Sequence, residues 1–155
     1  MKTRIIGTGS CLPKTVMTND DLSKYMDTSD EWISSRTGIR ERHLAVEETT
    51  ASMSIEAAKR AMENANVTAA EIDLIILGTV SGDFVTPACA CEVQAAIGAD
   101  RAVAFDINAA CSGFMFALNI ANAYIQAGLY RTALILGAET LSKIMDWNDR
   151  STCVL

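Results

Sequence analysis

Hydrophobic and polar positions change period repeatedly along this chain, alternating between helical and strand-like spacing. Between Thr50 and Ala65, Met53, Ala57, Ala61 and Met62 recur at helical intervals with Lys59, Arg60 and Glu63 between them, which predicts an amphipathic helix. Residues 72–78 form a short unbroken apolar run rich in branched side chains, the pattern of a strand covered on both faces. The same signal returns at 102–108 and 132–138, and another strand is expected to begin at 151. A small-residue helix is predicted up to Ile97 with Gly98 as its stop, and a second over 112–127 ending at Gly128. Strands that alternate with helices predict one layered α/β domain with a largely parallel sheet.

The first fifty residues are more polar. Residues 4–12 read as an opening strand that ends at Pro13, which has no N–H to give a ladder. Thr18-Asn19-Asp20 is spaced to cap a brief helix through Tyr25. Thr28-Ser29-Asp30-Glu31 has capping-box spacing for a helix to about Arg36 with Gly38 as its stop, and Arg40 to His43 is a polar segment.

Composition narrows the function. About half of the 155 residues are apolar and 21% are charged, within the globular range. The formal charge of −6 argues against a nucleic-acid partner, which needs a basic surface. The opening has no signal-peptide pattern, and no apolar run reaches membrane-spanning length, so a cytoplasmic protein is expected. Five cysteines, an odd number, read as free thiols rather than a disulfide framework. With one histidine, and with Cys89-x-Cys91 lacking both the usual spacing and a second pair, no metal is expected.

The segment richest in chemistry is Asp106-Ile107-Asn108-Ala109-Ala110-Cys111-Ser112-Gly113-Phe114. A buried strand leads into a tight turn of small residues, and a helix leaves it, as at a nucleophile elbow. The helix that follows is apolar around nearly its whole circumference, which predicts full burial. Its amino-terminal amides and dipole favour a thiolate and could hold a developing oxyanion. From these local features alone, Cys111 fits a nucleophile or a core thiol equally well.

Two long motifs break that tie. Asp27-Thr28-Ser29-Asp30-Glu31-Trp32 followed by Arg36-Thr37-Gly38-Ile39-Arg40-Glu41-Arg42, together with Ala109-Ala110-Cys111-Ser112-Gly113-Phe114, closely resembles the β-ketoacyl-acyl-carrier-protein synthase III family of the thiolase superfamily. Ile5-Ile6-Gly7-Thr8-Gly9-Ser10 and Asp149-Arg150 fit as well. The resemblance implies the amino-terminal half of a thiolase-like layered fold, with a mixed, largely parallel five-stranded sheet around a buried central helix. It implies an acyltransferase that starts type II fatty acid synthesis. Cys111 would take an acyl primer from acyl-CoA, and malonyl-acyl carrier protein would then lose carbon dioxide and attack the thioester, giving a 3-ketoacyl product.

The resemblance also implies that Trp32 and Arg150 sandwich the adenine of coenzyme A, that Thr28 contacts the base and that Arg36 reaches phosphate. Spacing is consistent, since Trp32 and Arg36 lie four residues apart on one helix face, though a surface Trp–Arg pair beside a helix cap would look the same. Thr86 falls where the family places a partner-subunit side chain at the end of the primer pocket, and its small size implies longer or branched primers. Coenzyme A enters as substrate, no cofactor is expected, and a homodimer through an edge strand at 102–106 is implied. The family's catalytic histidine and asparagine have no match here, since His43, Asn108 and Asn119 stand in other contexts. The chain by itself is therefore expected not to condense, and to need a complementary carboxy-terminal half. Alternatives are another thiolase-superfamily condensing enzyme, a non-catalytic interaction subunit of a split enzyme, and a redox-sensing thiol protein.

Overall fold

The computed structural model describes residues 2–153. In chain order the elements are β1 (Thr15–Thr18), α1 (Asn19–Leu22), α2 (Asp30–Thr37), β2 (Glu41–Leu44), α3 (Thr50–Ala65) and β3 (Leu74–Gly78). Then come α4 (Cys89–Ile97), β4 (Val103–Ile107), α5 (Gly113–Gln126), β5 (Ala133–Gly137) and α6 (Arg150–Cys153). They fall into two compact units, one made of residues 2–11 and 49–139, the other of residues 12–48 and 140–153.

The larger unit is a parallel sheet of order β4-β3-β5. Gly78 lies level with Ile107 on one side and Gly137 on the other, so the three strands end along one carboxyl edge. Leu74, Ile75, Ile76 and Leu77 of the central strand are all fully buried. Each such side chain contributes roughly 1.5–3 kcal/mol of transfer free energy. Their alternation supplies both faces of the sheet. Ile75 and Leu77 join Ala51 and Ala58 of α3 and Val93 of α4 in one cluster. Leu74 and Ile76 meet Ala117 and Ala121 of α5 in another.

Local chemistry explains the helix limits. Thr49 and Ser52 form a reciprocal capping box for α3, and Asn66 closes it in the left-handed conformation. No side chain of its own segment caps α4; the carboxylate of Asp106 in β4 instead accepts from Cys89 N at 2.7 Å and Ala90 N at 2.8 Å. Asp83 does the same for α3 from the β3–α4 loop, accepting from Ala51 N at 2.7 Å.

Several expectations are corrected. Residues 4–12 form no strand. A Cβ on Gly7 would lie 2.6 Å from Ala61 O and one on Gly9 2.3 Å from Ala57 O, so this segment is pressed onto the α3 backbone. A slot of about 420 Å³ lies between residues 2–9 and β5. Among the described residues there are five strands, but as a three-stranded and a two-stranded sheet rather than one. Helix α5 is not buried all round. Gly113, Ala117, Ala121 and Ile125 pack as one stripe, whereas Phe114, Met115 and Phe116 are about half exposed, since only one helix face meets the sheet. Residues 150–153 are helical, not extended, because Asp149 Oδ1 accepts from both Ser151 N and Ser151 Oγ at 2.8 Å and starts a turn. The rest of the strand expected from 151 lies outside the described residues.

In the smaller unit β1 and β2 pair antiparallel, Thr15 opposite Leu44 and Thr18 opposite Glu41. The segment read as merely polar is thus a strand. Its Arg42 is nearly buried and donates to Asn19 Oδ1 at 2.6 Å. Thr18 caps α1 and Ser29 caps α2, which Gly38 ends at φ +75°. Leu22 and Ile33 form the core, with Trp32 and Trp147 packed at its margin.

Candidate active site

Strand β4 ends at Ile107, and the chain reaches α5 in five residues. Ala109 sits at φ −144°, ψ 28°, and Ala110 at φ +46°, in the left-handed region that a Cβ disfavours by about 1–2 kcal/mol. Alanine is the smallest residue that pays this cost while still carrying a side chain. The turn then tightens into a 3-10 step at Ala110–Ser112, closed by Ser112 N donating to Ala109 O at 3.1 Å. This strained strand-to-helix corner is the one the small residues foretold, and it leaves Cys111 exposed as a free thiol.

The corner is seated closely on the sheet. A Cβ on Gly78 would lie 2.8 Å from Gly113 C, and one on Gly137 would meet Phe114 Cβ at 3.4 Å. Only glycine at the end of β3 lets the first residue of α5 approach so near. No side chain caps α5, so its leading amides remain available to a group at the corner.

The other cysteines differ. Cys89 is 1% exposed, and burial first, then Asp106, Glu92 and Asp83, pushes its thiol up to about 12. It is an inert core thiol. Asp83, Cys89 and Glu92 place ligand atoms within 4.8 Å of one another, yet Asp83 is engaged in capping α3 and Cys89 holds its proton.

In the smaller unit the structure brings together Trp32, Arg36 and Arg150. The Arg36 guanidinium lies 4.3 Å and that of Arg150 4.4 Å from the Trp32 ring centroid. Arg36 is steadied by its bond to Trp32 O at 3.2 Å, and Arg150 by one to Asp27 O at 3.0 Å. Nearby in sequence, Thr28 Oγ1 is buried with no hydrogen-bond partner among the described residues. A buried hydroxyl without a partner costs about 1–3 kcal/mol, which a polar ligand atom would recover.

Thr86 belongs to the β3–α4 loop of the larger unit, whose tip is open: Phe84 is 61% exposed and Val85 fully so. Sequence reasoning missed the carboxylates that shape this edge. Asp106 and Asp83 cap helices from other segments, and Glu139 binds the start of the loop. Partners 16 to 60 positions away leave no local signature.

Known proteins similar to this chain in sequence and in shape agree with one another. The family model for 3-oxoacyl-[acyl-carrier-protein (ACP)] synthase III matches residues 105–155, which include Cys111. The beta-ketoacyl-[acyl-carrier-protein] synthase III of Clostridium acetobutylicum is 58% identical over 151 residues, covering 97% of this chain and 46% of that protein. That of Xanthomonas campestris pv. campestris is 56% identical over 153 residues, covering 98% and 47%. Among solved structures, 3-oxoacyl-[acyl-carrier-protein] synthase III from Aquifex aeolicus superposes with a TM-score of 0.96 at 55% identity, over 99% of this chain and half of that one. The priming β-ketosynthase of the R1128 polyketide pathway gives 0.93 at 37% identity, over 98% and 46%. The chain thus spans about half the length of the curated relatives it matches. In sequence and in its thiolase-like fold, the chain is similar to the amino-terminal part of proteins named β-ketoacyl-[acyl-carrier-protein] synthase III.

Proposed function

We propose that this chain carries the acyl-accepting centre of a condensing enzyme that starts fatty acid synthesis. The Cys111 thiolate attacks the carbonyl carbon of an acyl-CoA primer, the new carbon–sulfur bond forms, and coenzyme A leaves as a thiolate that takes up the proton Cys111 gave up. The acyl group then passes to the carbanion left when malonyl-acyl carrier protein loses carbon dioxide, giving 3-ketoacyl-acyl carrier protein. The observation that carries this reading is the exposed Cys111 at a strained corner just before the uncapped start of α5.

Trp32, Arg36, Arg150 and Thr28 form the coenzyme A clamp in this reading. The two guanidinium groups supply charge for phosphates, the indole a stacking face and Thr28 a polar contact. Arg150 is in contact distance of the ring, so a base stacked between the two requires that guanidinium to move outward by about one ring thickness. Thr86, small and exposed at the loop tip, suits a longer or branched primer, contributed across a homodimer in which the β4 edge is the natural joining strand. Condensation needs a histidine and an asparagine from a complementary half, so this chain alone gives no 3-ketoacyl product. A cytoplasmic setting, where acyl-CoA and carrier protein occur, completes the proposal.

The test is to incubate the chain with acetyl-CoA, with and without a complementary half, and to map the mass gain by peptide analysis. We expect one acetyl group on the Cys111 peptide, lost in Cys111→Ala. An acetyl group that persists in that variant overturns the assignment. Trp32→Ala is expected to raise the acetyl-CoA concentration at half-maximal rate by about tenfold, equivalent to ~1.4 kcal/mol, while leaving the saturated rate within twofold.

A further inference from the structure

Glu139 follows β5 by two residues and does not cap a helix. Its carboxylate is turned toward the residues that leave β3. Val80 N donates to Oε1 at 2.9 Å and to Oε2 at 3.2 Å, and Ser81 N donates to Oε2 at 3.1 Å. The Thr79 hydroxyl donates to Oε2 at 3.3 Å, and Ser81 Oγ makes a short bond to the same oxygen. One side chain thus gathers four donors from a single tripeptide about sixty positions earlier.

The position of the tie gives it a role. Thr79 N donates to Ile107 O at 3.1 Å and Ala138 N to Gly78 O at 3.3 Å, so the exits of all three strands are laced together at this edge. The two exits that Glu139 joins each begin with a glycine that touches the start of α5, Gly78 against Gly113 and Gly137 against Phe114. Cys111 stands two residues before that start. The lateral spacing of Gly78 and Gly137 is therefore the seat on which the cysteine corner rests, and Glu139 holds that spacing from above.

We propose that Glu139 is a positioning residue for the reaction at Cys111, fixing the strand exits against which the first turn of α5 is seated so that the corner carrying Cys111 keeps its geometry. This rests on the acyl-accepting role given to Cys111. Glu139 touches no reacting atom itself. Replacing one carboxylate oxygen by an amide group, as in Glu139→Gln, sets a donor against the donors of Val80 or Ser81 and spreads the seat.

The test uses the full chain and iodoacetamide, with the second-order alkylation rate of each cysteine followed by peptide mass analysis. In E139Q the Cys111 rate is expected to fall at least fivefold while Cys89 stays unlabelled, and E139D, which keeps the charge, is expected to recover at least half of the loss on a logarithmic scale. A Cys111 rate within twofold of native overturns the proposal. So does a fall accompanied by Cys89 labelling, which means general loosening, or a loss that E139D does not recover. Should E139Q fail to fold, Ser81→Ala removes only one bond of the tie and is expected to slow Cys111 at least twofold; an unchanged rate has the same overturning force. The alkylation assay contains no thioester, so slowed alkylation in E139Q alongside absent acetylation of the native chain sinks the acyltransferase reading alone.

Discussion

Glu92 and Cys89 share a turn of α4 and meet the same two acids, and burial favours the protonated form of both. Burial first, then Asp83 and Asp106, holds the Glu92 carboxyl above the usual carboxylate range, and its Oε2 is buried with no partner among the described residues. The folded state thus grips this proton more tightly than the unfolded chain does. That stability is fully present below the ordinary glutamate range and is lost as pH rises through the elevated value. Glu92→Gln is expected to raise the melting temperature at pH 8 by roughly 2–4 °C, with a much smaller gain near pH 4, measured by circular dichroism across that range. Equal gains at both pH values would contradict the assignment. At this scale the sequence was readable where one residue and its neighbours decide the matter. Cys111 stood out because small residues surround it; Asp106 and Glu139 did not, because their partners lie on other segments.

Helices α2 to α5 were legible because a left-handed residue closes each, such as Gly38 for α2 or Gly98 for α4. The β1–β2 pair was not, since its strands are only four residues long, with Arg42 turned inward and Val16 exposed, and two helices separate them in sequence. The opening segment looked like a strand by composition, yet Gly7 and Gly9 commit it to the α3 backbone instead. Glycine matters most where elements cross. At the end of β3, Gly78→Ala would put a Cβ 2.8 Å from Gly113 C and 3.1 Å from Phe114 N, both backbone atoms that cannot swing aside. A loss of about 1–3 kcal/mol is expected, read as a lower urea midpoint. Gly82→Ala, whose nearest neighbour would be 3.6 Å away, is the control and is expected to change stability by no more than ~0.5 kcal/mol.

For the molecule as a whole, the two clusters that flank β3 are well covered, whereas apolar surface remains elsewhere in the larger unit. Phe114, Met115 and Phe116 are about half exposed, and the slot beside β5 is walled by Leu118, Ala121, Leu134 and Leu136, with Lys2, Arg4 and Arg131 at its rim. An apolar cleft with a cationic rim suits an aromatic sulfonate dye. The folded chain is expected to brighten and blue-shift 8-anilinonaphthalene-1-sulfonate several-fold over the urea-unfolded chain at equal concentration; no difference would mean that the slot is closed in solution. The sequence could announce an α/β architecture through its alternating periods, but the openness of one helix face depends on what packs there, and periodicity cannot express that.

Each unit is stitched from two stretches of polypeptide, so the chain passes from one to the other at about residues 11, 48 and 139. The cluster of Trp32 with two guanidinium groups follows this thread: Trp32 and Arg36 are synthesised early, and Arg150 only after β3, β4 and β5. The cluster around Trp32 is therefore completed only after strands β3 to β5 have been synthesised. Nor does a single proteolytic nick release either unit alone, since sequence of the other interrupts each.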